Sequence, residues 1–224
     1  MPIAIRNYFL VCRDDYSFVW VIFLWQFTLP PQLFESAVYN FGVVPASLLG
    51  SKEGYLPATM TIFTSMFMHG GWMHLIGNML YMWIFADNIE DSLGPKNFII
   101  FYLLSGIGAA TAQVLADTSS QIPMIGASGA IGGVLGAYII NYPKTKVLVL
   151  IPFGFFSQLI KILALYVLGF WFVLQFINSS MMSSQGGGVA YAAHIGGFVS
   201  GIILILFFNR KAKRKTKVIK GPWS

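Results

Sequence analysis

Six apolar runs dominate the chain, at about 16–29, 72–86, 98–116, 126–141, 158–177 and 190–208, with short polar segments between most of them. A bilayer core takes roughly 20 helical residues to cross, and backbone inside it must satisfy its hydrogen bonds within the segment. Runs of this kind are therefore expected to be helices. Only 10% of residues are charged and the mean hydropathy is +0.70, against about 25% charged residues in soluble domains. The expected fold is all-α, a polytopic membrane protein built as a six-transmembrane-helix bundle. Residues 1–209 are read as one membrane domain and 210–224 as a basic cytoplasmic tail, with no room for a second folded domain. The single cysteine, Cys12, excludes an internal disulfide and any multi-cysteine metal site.

The net charge of +6 is concentrated after the last apolar run, in Arg210, Lys211, Lys213, Arg214, Lys215, Lys217 and Lys220. Such a cluster reads as an anchor at an anionic membrane surface. No nucleic-acid partner is expected, because no aromatic residues interleave with these charges before Trp223. With six spans both termini share one side. That side collects Arg6, Arg13, Lys96, Lys144, Lys146 and the tail, whereas the opposite loops carry only Lys52. The positive-inside rule then places the termini in the cytoplasm of a cell membrane, plasma or inner, and Lys161 snorkels to the cytoplasmic interface.

The first run, closed by Pro30-Pro31, is a short or tilted span; Asp14 and Asp15 before it are wrong for a removable signal. The connection from Pro30 to about Thr61 holds turn formers but also Phe34, Tyr39, Phe41, Leu48 and Leu49, so it is expected at or partly in the membrane surface. Val147 to Ile177 would make a helix about 46 Å long at 1.5 Å per residue, too long for one simple span. Pro152 and Gly154 break it, leaving Val147–Phe156 as a hydrophobic loop or interfacial piece before span five.

Polar groups inside such runs are functional candidates by default. In this topology spans two, four and six run from outside to inside, and His74, Ser128 and His194 all lie near their starts, at one depth below the outer surface. His74 and Asn78 are spaced i, i+4 and share a helix face. Span four is small on nearly every face around Ser128, and span six carries Gly197 and Gly201 as a Gly-xxx-Gly pair, which lets the two backbones approach closely. The Ser128 hydroxyl is thereby expected to reach His194, the arrangement nucleophilic catalysis requires. Taken singly, Gly-Ala-Ser-Gly is a packing motif and a buried histidine or asparagine a structural group; matched depth and spacing make them one candidate site. His69, beside Gly70 and Gly71, is read as structural.

These residues resemble the rhomboid intramembrane serine proteases. The likeness runs from His69, His74 and Asn78 through Gly126-Ala127-Ser128-Gly129 to Ala193-His194-Ile195-Gly196-Gly197. It implies that Ser128 is the nucleophile, that His194 is the general base and acid, and that His74, Asn78 and the Ser128 backbone N–H form an oxyanion hole. It also implies a tight contact between helices four and six at Gly197 and Gly201, and a membrane-embedded first loop from Pro30 to Thr61. Many relatives carry an aromatic residue four positions after the serine; this chain has Gly132, so His194 is expected to be braced by another side chain. The Trp-Arg pair of some first loops is absent between Pro30 and Met68, and no role is assigned there.

Asp and Glu are absent from the interiors of spans four and six, so a Ser-His dyad is expected, without cofactor or metal. No His-Glu-x-x-His sequence occurs. The expected function is a serine endopeptidase that hydrolyses peptide bonds in or near transmembrane segments of membrane-protein substrates, its site open to the outer face. The polar loop from Asn178 to Gly188 is a candidate cap, and span five, with Tyr166, Phe170 and Trp171, a candidate lateral gate. The alternatives are a rhomboid-like pseudoprotease that binds membrane clients, in which the catalytic positions would be lost, and a small transporter or proton channel, against which the lack of an acidic relay argues.

Overall fold

The computed structural model describes residues 10–50, 55–153, 156–181 and 189–215. Helix α1 (Leu10–Thr28) is followed by α2 (Pro31–Phe41), α3 (Pro45–Leu48), α4 (Ala58–Thr64) and a 3₁₀ turn at Ser65–Phe67. Next come α5 (Trp72–Leu93), α6 (Pro95–Ala116) and α7 (Ser128–Asn141), then strands β1 (Lys146–Phe153) and β2 (Phe156–Leu163), then α8 (Ala164–Met181) and α9 (Tyr191–Lys215). Pro30, Pro57 and Pro95 stand at or beside helix starts, where a missing N–H costs nothing. Gly94 turns α5 into α6 in a single residue at φ +77°, the left-handed region that glycine enters most easily.

The apolar core joins α5 through α9 and includes Phe85, Phe101, Leu135, Leu168, Phe198 and Ile205. Phe172 stacks on Phe198 at 4.5 Å and Phe85 meets Tyr138 edge-on at 5.0 Å. Helix α7 lies inside this ring of helices, with every residue from Gly129 to Tyr138 buried. At 14 residues it is about 21 Å long, short of the ~30 Å hydrocarbon core, but enclosed by protein it has no lipid thickness to match. The outward faces are apolar: Phe27, Trp83, Ile100, Phe170 and Ile203 are all exposed, on five different helices. Apolar surface this extensive requires an apolar medium. The chain is a mostly helical membrane protein.

Among the described residues, three helical segments are long and apolar enough to cross a bilayer by themselves: Pro95–Ala116, Ala164–Met181 and Tyr191–Asn209. Ser17–Thr28 and α7 are apolar but shorter. Helix α5 runs past the expected end of span two to Leu93, through Asp87, Glu90 and Asp91, whose charges had truncated the apolar run.

The hairpin adds two short strands to a mostly helical fold and corrects the boundary of span five. Residues 158–163 belong to β2, which pairs antiparallel with β1 from Lys146↔Leu163 to Phe153↔Phe156, and the fifth long helix begins at Ala164. Alternating β-branched and leucine residues satisfy a strand as well as a helix, and hydropathy does not separate the two. The Ala164 N–H to Thr145 carbonyl bond, 2.7 Å, closes the base of the hairpin. Lys161 therefore lies on a strand opposite Leu148 rather than on a helix start. The long first connection is helical in α2, α3 and the start of α4. Of the candidate cap, Asn178–Met181 belongs to α8 and 182–188 fall outside the described residues. Helix α9 continues across the 209/210 boundary to Lys215, and 216–224 lie outside the described residues.

Candidate active site

Helices α7 and α9 meet through glycine. A Cβ on Gly197 would collide with the Gly129 carbonyl, and one on Gly201 with the Gly133 carbonyl, so only hydrogen at these positions permits the approach. Gly132 belongs to the same seam, since a Cβ there would stand 2.9 Å from the His194 carbonyl oxygen. An aromatic side chain at 132 has no space without moving α9. Gln113 on α6 sets the start of α9 by accepting the Ala193 N–H at 3.2 Å, one of the first-turn donors a helix cannot satisfy internally.

This close approach places Ser128 Oγ 2.8 Å from His194 Nε2. Ser128 is the first residue of α7 and His194 lies in the first turn of α9. His194 is buried and braced from α8, where Gln175 Oε1 lies 2.8 Å from Nδ1 and the Trp171 ring lies 5.8 Å away, tilted by 33°. These two residues take the place left by Gly132. The sequence alone places Trp171 only on a candidate lateral gate and does not single out Gln175. The signal was present in the sequence, since Gln175 is an amide in the apolar interior of span five, one turn after Trp171.

On the opposite side stand His74 and Asn78 of α5. Gly70 N–H donates to His74 Nδ1 at 3.2 Å. In a neutral ring Nδ1 is then the acceptor and Nε2 carries the hydrogen. Nε2 faces Gly126, where a Cβ would stand 2.5 Å from it. Gly126 has φ +122° and its N–H is held by the Ser65 carbonyl at 2.8 Å. Asn78 is buried and its Nδ2 has no partner, an unusual cost in a folded interior. The Ser128 N–H, at the head of α7, has no intrahelical acceptor. Three donors are thus available beside one hydroxyl.

The loop that leads into α5, and so to His74, is held by α1. Gln26 accepts the His69 N–H at 3.1 Å and donates to the His69 carbonyl at 3.4 Å. Trp72 packs edge-on against Phe23 at 4.9 Å and Phe27 at 5.4 Å. The His69 ring is fully buried and meets the His74 ring at 5.1 Å, behind the cavity. A cavity of about 910 Å³ opens on the group, lined by Ser128, His74, Asn78 and His194 together with Tyr81, Leu135 and Trp171.

A model of the Rhomboid domain matches residues 57–211, from the residue before α4 into α9. The chain belongs to the rhomboid family. This rhomboid is 28% identical over 182 residues to Rhomboid protein 1, mitochondrial, of Saccharomyces cerevisiae, covering 77% of this chain and 49% of that one. It is 30% identical over 161 residues to Rhomboid protease GluP of Bacillus subtilis, covering 72% and 27%. To the Putative rhomboid protease YdcA of the same organism it is 27% identical over 154 residues, covering 69% of each. The aligned region spans about half the length, or less, of most of the curated relatives it matches.

Proposed function

We propose that this rhomboid is an intramembrane serine endopeptidase that hydrolyses peptide bonds in or near transmembrane segments of other membrane proteins through a Ser128–His194 dyad. The observation that carries the reading is the 2.8 Å contact between Ser128 Oγ and His194 Nε2, set beside the unpartnered Asn78 amide. A hydroxyl against an imidazole is common in packed helices. A buried donor left unpaired next to it is costly, and becomes explicable if its acceptor arrives with the substrate.

In this reading the Ser128 hydroxyl proton passes to His194 Nε2 as Oγ bonds to the scissile carbonyl carbon, and the carbonyl π electrons move to oxygen. His74 Nε2–H, Asn78 Nδ2–H and the Ser128 N–H donate to that oxyanion. Its collapse breaks the C–N bond, and the proton on His194 goes to the leaving amine. Water then attacks the acyl-enzyme, giving its proton to His194, which returns it to Ser128 as the ester opens. The substrate must present an extended backbone at Ser128, so small or helix-breaking residues near the scissile bond favour cleavage.

The wider arrangement belongs to the same proposal. The helices α1 and α5 through α9 are taken as six spans of one membrane domain ending near residue 209, with the short α7 enclosed by the others. The termini are taken as cytoplasmic, from the distribution of Lys and Arg, and the site as opening to the opposite face. The expectation of a cell membrane gains no support from the relatives, whose names include mitochondrial and chloroplastic proteins.

The experiment is reconstitution of the purified chain with a panel of single-span model substrates, followed by mass spectrometry of the products. Discrete cleavage within or beside a span, absent from Ser128→Ala, is the expected result. Intact substrates throughout, with folded protein, would overturn the reading.

A further inference from the structure

Helix α8 orients the side chain through which it touches the dyad. The Gln175 Nε2 donates to the Trp171 carbonyl at 3.2 Å. A carbonyl only accepts, so the amide is oriented by its own helix, with Nε2 committed backwards and Oε1 facing forwards. That oxygen lies 2.8 Å from His194 Nδ1. An amide oxygen also only accepts, so Nδ1 must carry the hydrogen. In a neutral imidazole Nε2 is then the bare nitrogen, and it is the atom 2.8 Å from Ser128 Oγ. One backbone carbonyl of α8 thus sets the direction of every hydrogen bond in the series up to the serine hydroxyl.

We propose that Gln175 is the positioning residue of the dyad, fixing the tautomer and orientation of His194, and that the dyad is competent only while α8 is seated against α9. The proposal rests on the catalytic reading above. A neutral amide performs here the orienting part of the task that a carboxylate performs in a Ser-His-Asp arrangement.

The second half of the proposal follows from spacing. Trp171 and Gln175 are four residues apart and occupy one face of α8. The first lays its ring against His194 and the second orients Nδ1. Outward movement of α8 removes both at once, leaving His194 free to rotate and to exchange tautomers. The seating of α8 is thereby coupled to chemistry through two side chains.

The test uses the full chain in detergent with ¹⁵N-labelled histidine, comparing wild type with Gln175→Leu and Gln175→Glu. Two quantities are read: the ¹⁵N shifts of His194, and the rate of inactivation by a soluble fluorophosphonate, which needs no lateral entry. Wild type is expected to show Nδ1 protonated and Nε2 bare. Gln175→Leu is expected to mix the tautomers and slow inactivation on the order of 10-fold to 100-fold at saturating reagent, part of what a general base contributes. Gln175→Glu, which keeps an acceptor, is expected to recover most of the rate and so separates loss of the acceptor from misfolding. Unchanged shifts and rate in Gln175→Leu would overturn the proposal. A tautomer change in that variant, with a wild type that never reacts, would keep the positioning contact and overturn the catalytic reading instead.

Discussion

Asn78 shows most clearly how a single side chain bears on the account. Its Nδ2 is buried without an acceptor, so the native state carries a desolvation cost of about 1–3 kcal/mol. Asn78→Leu keeps the volume and removes the unpaired donor. It is expected to leave the unfolding temperature unchanged or raised, while lowering kcat by about 10²-fold to 10³-fold with little change in KM. Thermal unfolding alongside peptide hydrolysis checks both halves, and a variant that loses stability in proportion to activity would make Asn78 structural. Gly126→Ala probes the same donors from the other side. The added methyl meets His74 Nε2, and the backbone is held at a positive φ. Loss of hydrolysis with Ser128 still in place is the expected outcome, read by activity together with circular dichroism.

The contact between α7 and α9 is where element-scale packing creates the chemistry. Any side chain at Gly201 must push α9 away from the Gly133 carbonyl. Gly201→Val is therefore expected to destabilise the fold by about 1–3 kcal/mol and to abolish turnover by separating Ser128 from His194. Equilibrium unfolding and hydrolysis measured on one preparation test this, and retained activity would show that the seam tolerates the shift.

Much of this level was legible in the sequence, and the reason is geometric. Gly197, Gly201 and the glycines around Ser128 recur at helical spacing, and His74 and Asn78 at i, i+4, so their faces follow from the helix alone. The β1–β2 hairpin was not legible, because 147–163 is apolar at nearly every position and carries no period that favours one element. Gln175 was visible as a polar residue in span five, but its partner is set by the packing of α8 on α9, which no local pattern encodes. With Gly132 on α7, the sequence leaves the neighbours of the His194 ring to be found elsewhere, and they are Gln175 and Trp171 on α8. Which residues these are follows only from the fold.

At the scale of the whole molecule, the exposed apolar surface calls for a bilayer, and the proposed orientation in it rests on the distribution of Lys and Arg in the sequence. Exposed leucines on the hairpin, Leu148, Leu150 and Leu159, lie beside Lys144, Lys146 and Lys161 at one end, the composition of a membrane interface. The orientation makes a direct prediction. With Cys12 replaced, a single cysteine at Ser119 in the α6–α7 loop is expected to react with an impermeant thiol reagent from the outer side of sealed cells. A cysteine at Lys144 is expected to react only after permeabilisation. The reverse pattern would invert the topology and place the site on the cytoplasmic side.

The central claim is that this chain brings Ser128 and His194 together as an activated pair, and it is tested most directly by mapping where a fluorophosphonate probe reacts. The account predicts one modified residue, Ser128, in wild type, with no modification in Ser128→Ala or His194→Ala. Folded wild-type protein that stays unmodified, or a His194→Ala variant that reacts as fast as wild type, would contradict it.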